Sequence, residues 1–491
     1  MTSTPLAEQS GRADRALRRA LGTPLLVLAL LSCGESSRPA PRTPLLLIGI
    51  DGLDPRLVMR FACEGHLPNL ADLMRRGTYG QLDTIHPNTW SPVIWTTIAT
   101  GKLPQKHGID NFAYKDVDGV QRLYTSGHRR SKALWNIASE QGMTVHAIGW
   151  WITYPVEDIR GVMVSQTSTR RQIDLKDPRN IWKGSLLKGV EGQIHPPERI
   201  AEIESVADQA RAGLPDFLER RFKNPGHALT PFLRKIRENS EWSFRADRIY
   251  AAVAGHLLEK GPPPDVLMVY LGSVDVVCHR YFRWLYPDLY KPPPPREEVE
   301  DFGETILRTY TWVDEEVGRL REQCPSANVI VVSDHGFHPV NVDQSFGLEE
   351  GQVLNSGDHQ DGPPAMLVAA GPDLRDSREG RDRLKKWQGE PLPTLGKVAD
   401  VLATVLVLKG LPIGRDMDGA PLESMVREEF LKRFPPRFID SYEDGSWRTG
   451  RNTTLARTAR MEEKLDQEEQ ERLQALGYLS QPIADPPSKG K

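Results

Sequence analysis

The chain has 491 residues, of which 39% are hydrophobic, 26% charged and 7% aromatic. That composition excludes whole-chain disorder, collagen and coiled coil, and the length allows about three domains or one large α/β domain with insertions. With 63 Lys+Arg against 66 Asp+Glu, a net charge of −3, the sequence carries no cationic footprint, so binding to a nucleic-acid scaffold is not expected.

Residues 1–33 read as a targeting segment. Arg12, Arg15, Arg18 and Arg19 precede the apolar run 25–31 (LLVLALL), which falls short of the ~20 apolar residues that span a bilayer. Cys33 follows directly, after the small residue Ser32. This anatomy resembles a bacterial lipoprotein signal, in which the Cys33 thiol carries the lipid and becomes the new N-terminus. Residues 34–43 are polar and Pro-rich, as a short tether should be. The expected product is exported and membrane-anchored through its lipid, facing the periplasm or the exterior. The other cysteines, Cys63, Cys278 and Cys324, form no C-x-x-C pair and are odd in number, so no disulfide framework is expected.

Further along, short apolar runs end in turn or polar residues at 44–50, 145–150, 265–271, 329–332 and 365–370. Such runs read as strands buried on both faces. Helical patterns lie between them, at 67–76, 131–141 and 301–321. Alternation of this kind predicts an α/β fold, a doubly wound and mostly parallel sheet formed by residues 44–172 and 265–430. Residues 173–264 break the alternation, are rich in charge and helical pattern, and read as an inserted, mainly helical cap. The proline stretch at 290–296 reads as a bridge between elements. Residues 431–491 read as a C-terminal helical tail. In doubly wound sheets ligands gather at the carboxyl ends of the strands, so the polar residues there are the first candidates for chemistry.

Those positions are rich in potential metal ligands. Asp51 closes the first run, in LLLIGIDG. Asp275 and His279 follow the third, in LGSVDVVCH. Asp334 and His335 close the fourth, and His359 lies in GDHQDG just before the fifth. Singly, each is ordinary turn chemistry. Together, three aspartates and three histidines supply two sites of mixed nitrogen and oxygen ligation, which suits zinc or another divalent first-row metal. Two such ions in one site clamp both oxygens of an in-line displacement.

A nucleophile is also on offer. Ser91 stands before Pro92 and opens a helix-like run ending at Thr100-Gly101. Taken alone this is an N-cap serine with proline in the first turn. The same position is an anion site, because it faces backbone N–H groups and the positive end of the dipole.

The segments together resemble the alkaline phosphatase superfamily, and within it the type I phosphodiesterase/nucleotide pyrophosphatase branch. The matching parts are Asp51-Gly52 after a strand, Ser91 nine residues before Thr100, the stretch TGKLPQKHGI at 100–109, Asp275 with His279, Asp334-His335-Gly336, and His359 ahead of Gly371-Pro372. Residues 398–419 also look like the family's closing helix and loop. The resemblance implies zinc held by Asp275, His279 and His359, and a second zinc held by Asp51, Asp334 and His335. It implies that Ser91 bridges toward the phosphorus and is transiently phosphorylated, with the backbone N–H groups after it as donors to the phosphate oxygens. It implies a small phosphate-ester substrate, most closely a phosphodiester. Two departures bear on specificity. The branch places Thr followed by Phe-Pro-Asn where this chain has Ser91-Pro92-Val93, and its phosphate-contacting Asn comes one residue later than Asn111 does here. A sulfatase is disfavoured, because no cysteine stands in a C-x-P-x-R context. Phosphomonoester and phosphonate hydrolysis use the same ligand set and stay open, as does a non-catalytic surface lipoprotein that kept the fold.

Overall fold

The structure, a computed structural model, describes residues 43–87, 89–115, 121–166, 191–222, 225–226, 228–344 and 355–443. The targeting segment with Cys33, residues 34–42 of the tether and residues 444–491 of the tail lie outside the described residues.

Nine strands form one sheet: β1 (Leu45–Ile50), β2 (Thr78–Asp83), β3 (Val145–Ile148), β4 (Gly161–Val164), β5 (Ile194–His195), β6 (Val266–Leu271), β7 (Asn328–Val332), β8 (Ala365–Ala370) and β9 (Thr394–Lys397). Their spatial order is β9-β2-β8-β7-β1-β6-β3-β4-β5. Neighbours run parallel, except that β8 is antiparallel to both β2 and β7, and β5 is antiparallel to β4. The central strand explains why its sequence is apolar without alternation. In β1, Leu46, Ile48 and Ile50 enter one core while Leu45 and Leu47 enter the other.

Helices cover both faces. On one lie α1 (Pro55–Cys63), α2 (Pro68–Arg76), α5 (Ile200–Ala212), α6 (Leu214–Arg221), α7 (Pro231–Lys260), α8 (Ser273–Leu285) and α10 (Thr305–Gln323). On the other lie α3 (Ser91–Thr100), α4 (Leu134–Glu140) and α11 (Asp400–Leu408). The helical pattern at 301–321 is two helices, α9 (Arg296–Phe302) and α10, broken at Gly303. The Pro-rich stretch bridges α8 to α9, and Tyr290 at its start donates its hydroxyl to the Ser356 carbonyl.

The segment expected to be a cap does more than cover. It adds the edge strand β5, whose two residues are too short to show a period in sequence. It also adds α7, whose Ile249, Tyr250, Val253, Ala254 and Leu257 join the same core as Leu267 and Val269 of β6. Cys63, Cys278 and Cys324 are all free thiols.

Candidate active site

The ends of β1, β6 and β7 bring the acidic residues together. Asp51 continues the ladder past β1, donating its backbone N–H to the Leu271 carbonyl at 2.9 Å. Its Oδ2 accepts from the Tyr270 hydroxyl at 2.6 Å and from the Trp95 indole at 3.0 Å. That leaves Oδ1 directed at the imidazole of His335, 3.4 Å away. Gly52 then turns with φ +69°, and a Cβ there would stand 2.6 Å from the Phe337 ring and 3.0 Å from the Asp275 Cα. Only glycine permits both the backbone conformation and the approach of the next ligand. The Asp334 Oδ1 accepts from the Gly52 and His335 amides, each at 3.1 Å, and its Oδ2 faces His335 Nε2 at 3.2 Å. Asp54 ties the same two loops together: its carboxylate accepts from the Arg56 and Leu57 amides of α1 and from the Phe337 amide.

Asp275 and His279 lie on the first two turns of α8 rather than in a loop, one turn apart and therefore on one face. The start of that helix is gripped from α7. Both oxygens of the buried Asp247 carboxylate are used, Oδ1 by the Gly272 amide at 2.8 Å and Oδ2 by the Ser273 amide at 2.7 Å. His359 reaches the cluster because of a strand direction. It precedes β8, and in a wholly parallel sheet the loop before a strand lies at the far edge. Since β8 is antiparallel, its entrance is at the carboxyl ends of β1 and β7. The loop packs on α8, where Gly357 allows an approach in which a Cβ would be 2.5 Å from the Cys278 carbonyl. The Ser356 amide donates to the His279 carbonyl at 2.7 Å.

Asp275, His279 and His359, the first set the resemblance implied, lie together as a buried triad. The second compact triad is Asp51, Asp275 and His335, so Asp275 is central to both, with Oδ1 at 3.4 Å from His279, 3.7 Å from His359 and 3.9 Å from His335. Asp334 joins through its contact with His335. The rings of His335 and His359 stack at 3.7 Å, and Phe337 stands edge-on to all three imidazoles.

Electrostatics show what the cluster is suited to hold. Burial, then the Asp275 charge, pushes Asp51 up to about 7, and burial followed by the Asp51 charge holds Asp334 well above the usual carboxylate range. Burial brings His335 down to about 4, and burial with the neighbouring imidazoles depresses His359. His279 goes the other way: burial opposes its charge, but the Asp275 carboxylate raises it on balance. The Nδ1 atoms of His279 and His335 hydrogen-bond to the Gly357 and Gly336 carbonyls, so Nδ1 carries the proton and Nε2 presents a lone pair. Asp51 Oδ1, Asp334 Oδ2 and His335 Nε2 are buried without a hydrogen-bond partner. Clustered carboxylates in low dielectric are costly, and cations at their centre reverse that cost. The donor set fits divalent metal.

Ser91 is the first residue of α3, not its cap. Trp90 takes the cap position, without a side-chain bond, and Pro92 follows Ser91 inside the helix. The Ser91 hydroxyl is left out of capping. It lies one turn before Trp95, on the same face, and Trp95 donates to Asp51. Thr96 and Thr97 spend their hydroxyls on the Pro92 and Val93 carbonyls at 2.6 and 3.0 Å, and Thr89 bonds the Ile85 carbonyl at 3.0 Å. The amides after Ser91 do not face outward as expected. Pro92 has none, and the Val93 and Ile94 amides both donate to the Trp90 carbonyl, at 2.9 and 3.0 Å. Asn111 accepts the Phe112 amide on Oδ1 at 2.7 Å, and an edge contact between Phe112 and Trp90 keeps its segment beside the start of α3. No described hydrogen bond joins Asn111 to the cluster.

Sequence reasoning missed Trp95, Tyr270, Asp247, Asp54 and Phe337. Trp95 carried a local signal in its spacing of one turn from Ser91, and Asp54 another as the cap before Pro55 of α1; Tyr270, Asp247 and Phe337 act across long stretches of chain.

Sheet and cluster define an α/β protein with a candidate metal centre at the strand ends. Residues 45–388 match the model of the type I phosphodiesterase/nucleotide pyrophosphatase family, and the chain belongs to that family. It is similar to venom phosphodiesterase 2 of Crotalus adamanteus, 24% identical over 281 residues, 54% of this chain and 32% of that protein. Venom phosphodiesterase 1 of the same species is also 24% identical, over 54% of this chain and 30% of its own length. The match thus spans about a third of those proteins. Among solved structures, human ectonucleotide pyrophosphatase/phosphodiesterase 5 aligns at 12% identity with a TM-score of 0.45, covering 78% of this chain and 100% of that one. Phosphonoacetate hydrolase from Sinorhizobium meliloti 1021, in complex with phosphonoformate, aligns at 17% identity with a TM-score of 0.37, over 61% and 58%.

Proposed function

We propose that the protein is a metal-dependent phosphoric ester hydrolase that cleaves phosphodiesters through a covalent intermediate on Ser91. The observation that supports this reading is the Trp95–Asp51 bond, since Trp95 follows Ser91 by one turn of α3 and Asp51 belongs to the buried metal-type cluster. When bound there, two divalent ions, zinc in our reading, supply Lewis-acid polarisation of the phosphoryl group and ease deprotonation of the hydroxyl. Asp275, His279 and His359 would hold one, and Asp51, Asp334 and His335 the other, with Asp275 in reach of both.

Ser91 Oγ attacks phosphorus. The Oγ–P bond forms as the bond to the leaving oxygen breaks, and that oxygen takes up a proton on departure. Water then attacks phospho-Ser91, releasing a phosphate monoester and restoring the hydroxyl. The charge that builds on the non-bridging oxygens needs hydrogen-bond donors. With the α3 amides engaged, that task falls to the side-chain amide of Asn111: its Oδ1 is held by Phe112, which leaves Nδ2 to donate.

Metal analysis and a panel of aryl diester, monoester and sulfate substrates test this together. The expected result is two zinc ions per chain, activity lost on chelation and restored by zinc, and the diester turned over fastest. Full activity in a metal-free sample overturns the metal role; a faster sulfate overturns the substrate class.

The location belongs to the same proposal. A lipid on Cys33 holds the enzyme at a membrane face outside the cytoplasm. Cys33→Ser is expected to move it to the soluble fraction or leave it uncleaved, and a mature N-terminus elsewhere than residue 33 removes the lipid from the picture. Among the described residues, no helix is long and apolar enough to cross a membrane.

A further inference from the structure

A cationic feature lies apart from the acidic, metal-type cluster. Between α6, α7 and α10 is a half-open cavity of about 590 Å³ on which Arg220, Arg221, Arg248 and Arg308 converge. Two of these are neutralised. Arg221 pairs with Glu315, one nitrogen at 2.8 Å, and Arg308 pairs with Glu304 at 2.6 Å. Among the described residues, Arg220 and Arg248 make no ion pair. They are nonetheless held in place. The Arg248 guanidinium sits 4.7 Å from the centre of the Phe217 ring and donates to the Ala210 carbonyl at 3.4 Å. Arg220 Nε donates to the Asp216 carbonyl at 3.1 Å, which leaves the outer fork of its guanidinium to the cavity. Burial, and after the attraction of Glu316 the like charge of Arg220, holds Arg248 below the usual guanidinium value.

The carboxylates nearby are already engaged, Glu304 with Arg308 and Glu316 with Arg319, so the positive charge that Arg220 and Arg248 bring to one cavity is relieved by a shared anion. A guanidinium fork donates to two phosphate oxygens at once, and the volume lies within the roughly 300–1,000 Å³ usual for small-ligand sites. Apart from the exposed His66 the lining has no metal-ligating nitrogen, and it has no activated nucleophile, so the cavity is built for binding and not for chemistry. We propose that this cavity binds a small, soluble phosphate-bearing anion of about two negative charges, at a site separate from the catalytic centre. The inference stands independently of the hydrolase reading.

Equilibrium dialysis of the full, metal-loaded chain with radiolabelled inorganic phosphate tests it. Arg220 is exposed on a helix, so Arg220→Glu should fold normally. The expected result is that Arg220→Glu binds one phosphate fewer per chain than the parent, whatever the catalytic centre itself retains, while turnover of an aryl ester is unchanged. Arg248→Gln keeps the stem over Phe217 but removes the charge, and should lose the same phosphate. An equal number of phosphates on the parent and on both variants overturns the proposal, and so does a lost phosphate that is accompanied by lost turnover, because that phosphate then belonged to the catalytic centre.

Discussion

The metal cluster is held in two different ways. Asp51 and Asp334 stand just past the ends of adjacent parallel strands, β1 and β7, and the Gly52 amide donates to the Asp334 carboxylate between them. Asp275 and His279 stand on the opening turns of α8, and His359 on a loop entering an antiparallel strand. The strand-end half is over-determined: Asp51 has two side-chain donors, and Asp54 knots the two loops together. The helix half is placed by packing instead, through the grip of Asp247 on the Gly272 and Ser273 amides and the bond of the His279 ring to the Gly357 carbonyl. One cluster is thus anchored by the strand ladder on one side and by helix and loop contacts on the other.

Six substitutions at five residues break or sharpen that comparison, in order of expected effect. Ser91 belongs to neither half. Ser91→Ala should cost about 100-fold or more in rate while both metals stay bound, because it removes the reacting group and no main anchor. A residual rate above about a tenth of the parent's, a loss of under ~1.4 kcal/mol, would leave the covalent role untenable. Ser91→Thr should keep part of the activity. Asp275 is the ligand the two halves share. Asp275→Asn should weaken both metal sites, read as metals per chain after dialysis, whereas His279→Ala should empty one; loss of a single metal from Asp275→Asn returns Asp275 to one half only.

Asp247→Asn tests whether the helix half is held from α7. Asparagine keeps one acceptor of two, so α8 should lose the grip on one amide. Competition titration with a zinc chelator should show about tenfold weaker binding at the Asp275–His279–His359 site and a smaller loss at the other, which shares Asp275. Equal weakening at both sites, tracking a fall in melting temperature, would mark a merely structural role. Tyr270→Phe should be the mildest, because Trp95 still donates to the same oxygen of Asp51. About 1 kcal/mol, at most a tenfold change in affinity at the strand-end site, is expected. A larger loss would show that the strand-end half is less redundant than its contacts imply.

Much of this was legible in the residues. The run at 365–370 is a strand with those bounds, and the runs at 44–50, 265–271 and 329–332 are strands to within a residue. The six candidate ligands lie in one buried cluster. Three readings changed. Ser91 moved from cap to first helical residue, because the chain enters α3 through an extended Trp90. The amides after it turned out to be engaged. Asp275 moved from one ligand set into both.

Sequence by itself determined the burial pattern of the strands, the order of the ligands and the family, because apolar runs and short motifs are local properties that survive without knowledge of the fold. Only the tertiary structure decided which residues aim those ligands. The direction of β8, which delivers His359 to the correct edge, is a choice of hydrogen-bonding partner that six apolar residues do not encode. Asp247 lies 25 residues from the amide it grips, and Tyr270 lies 219 residues from Asp51. Contacts of that span arise from how helices pack on a sheet, and no period along the chain foretells them.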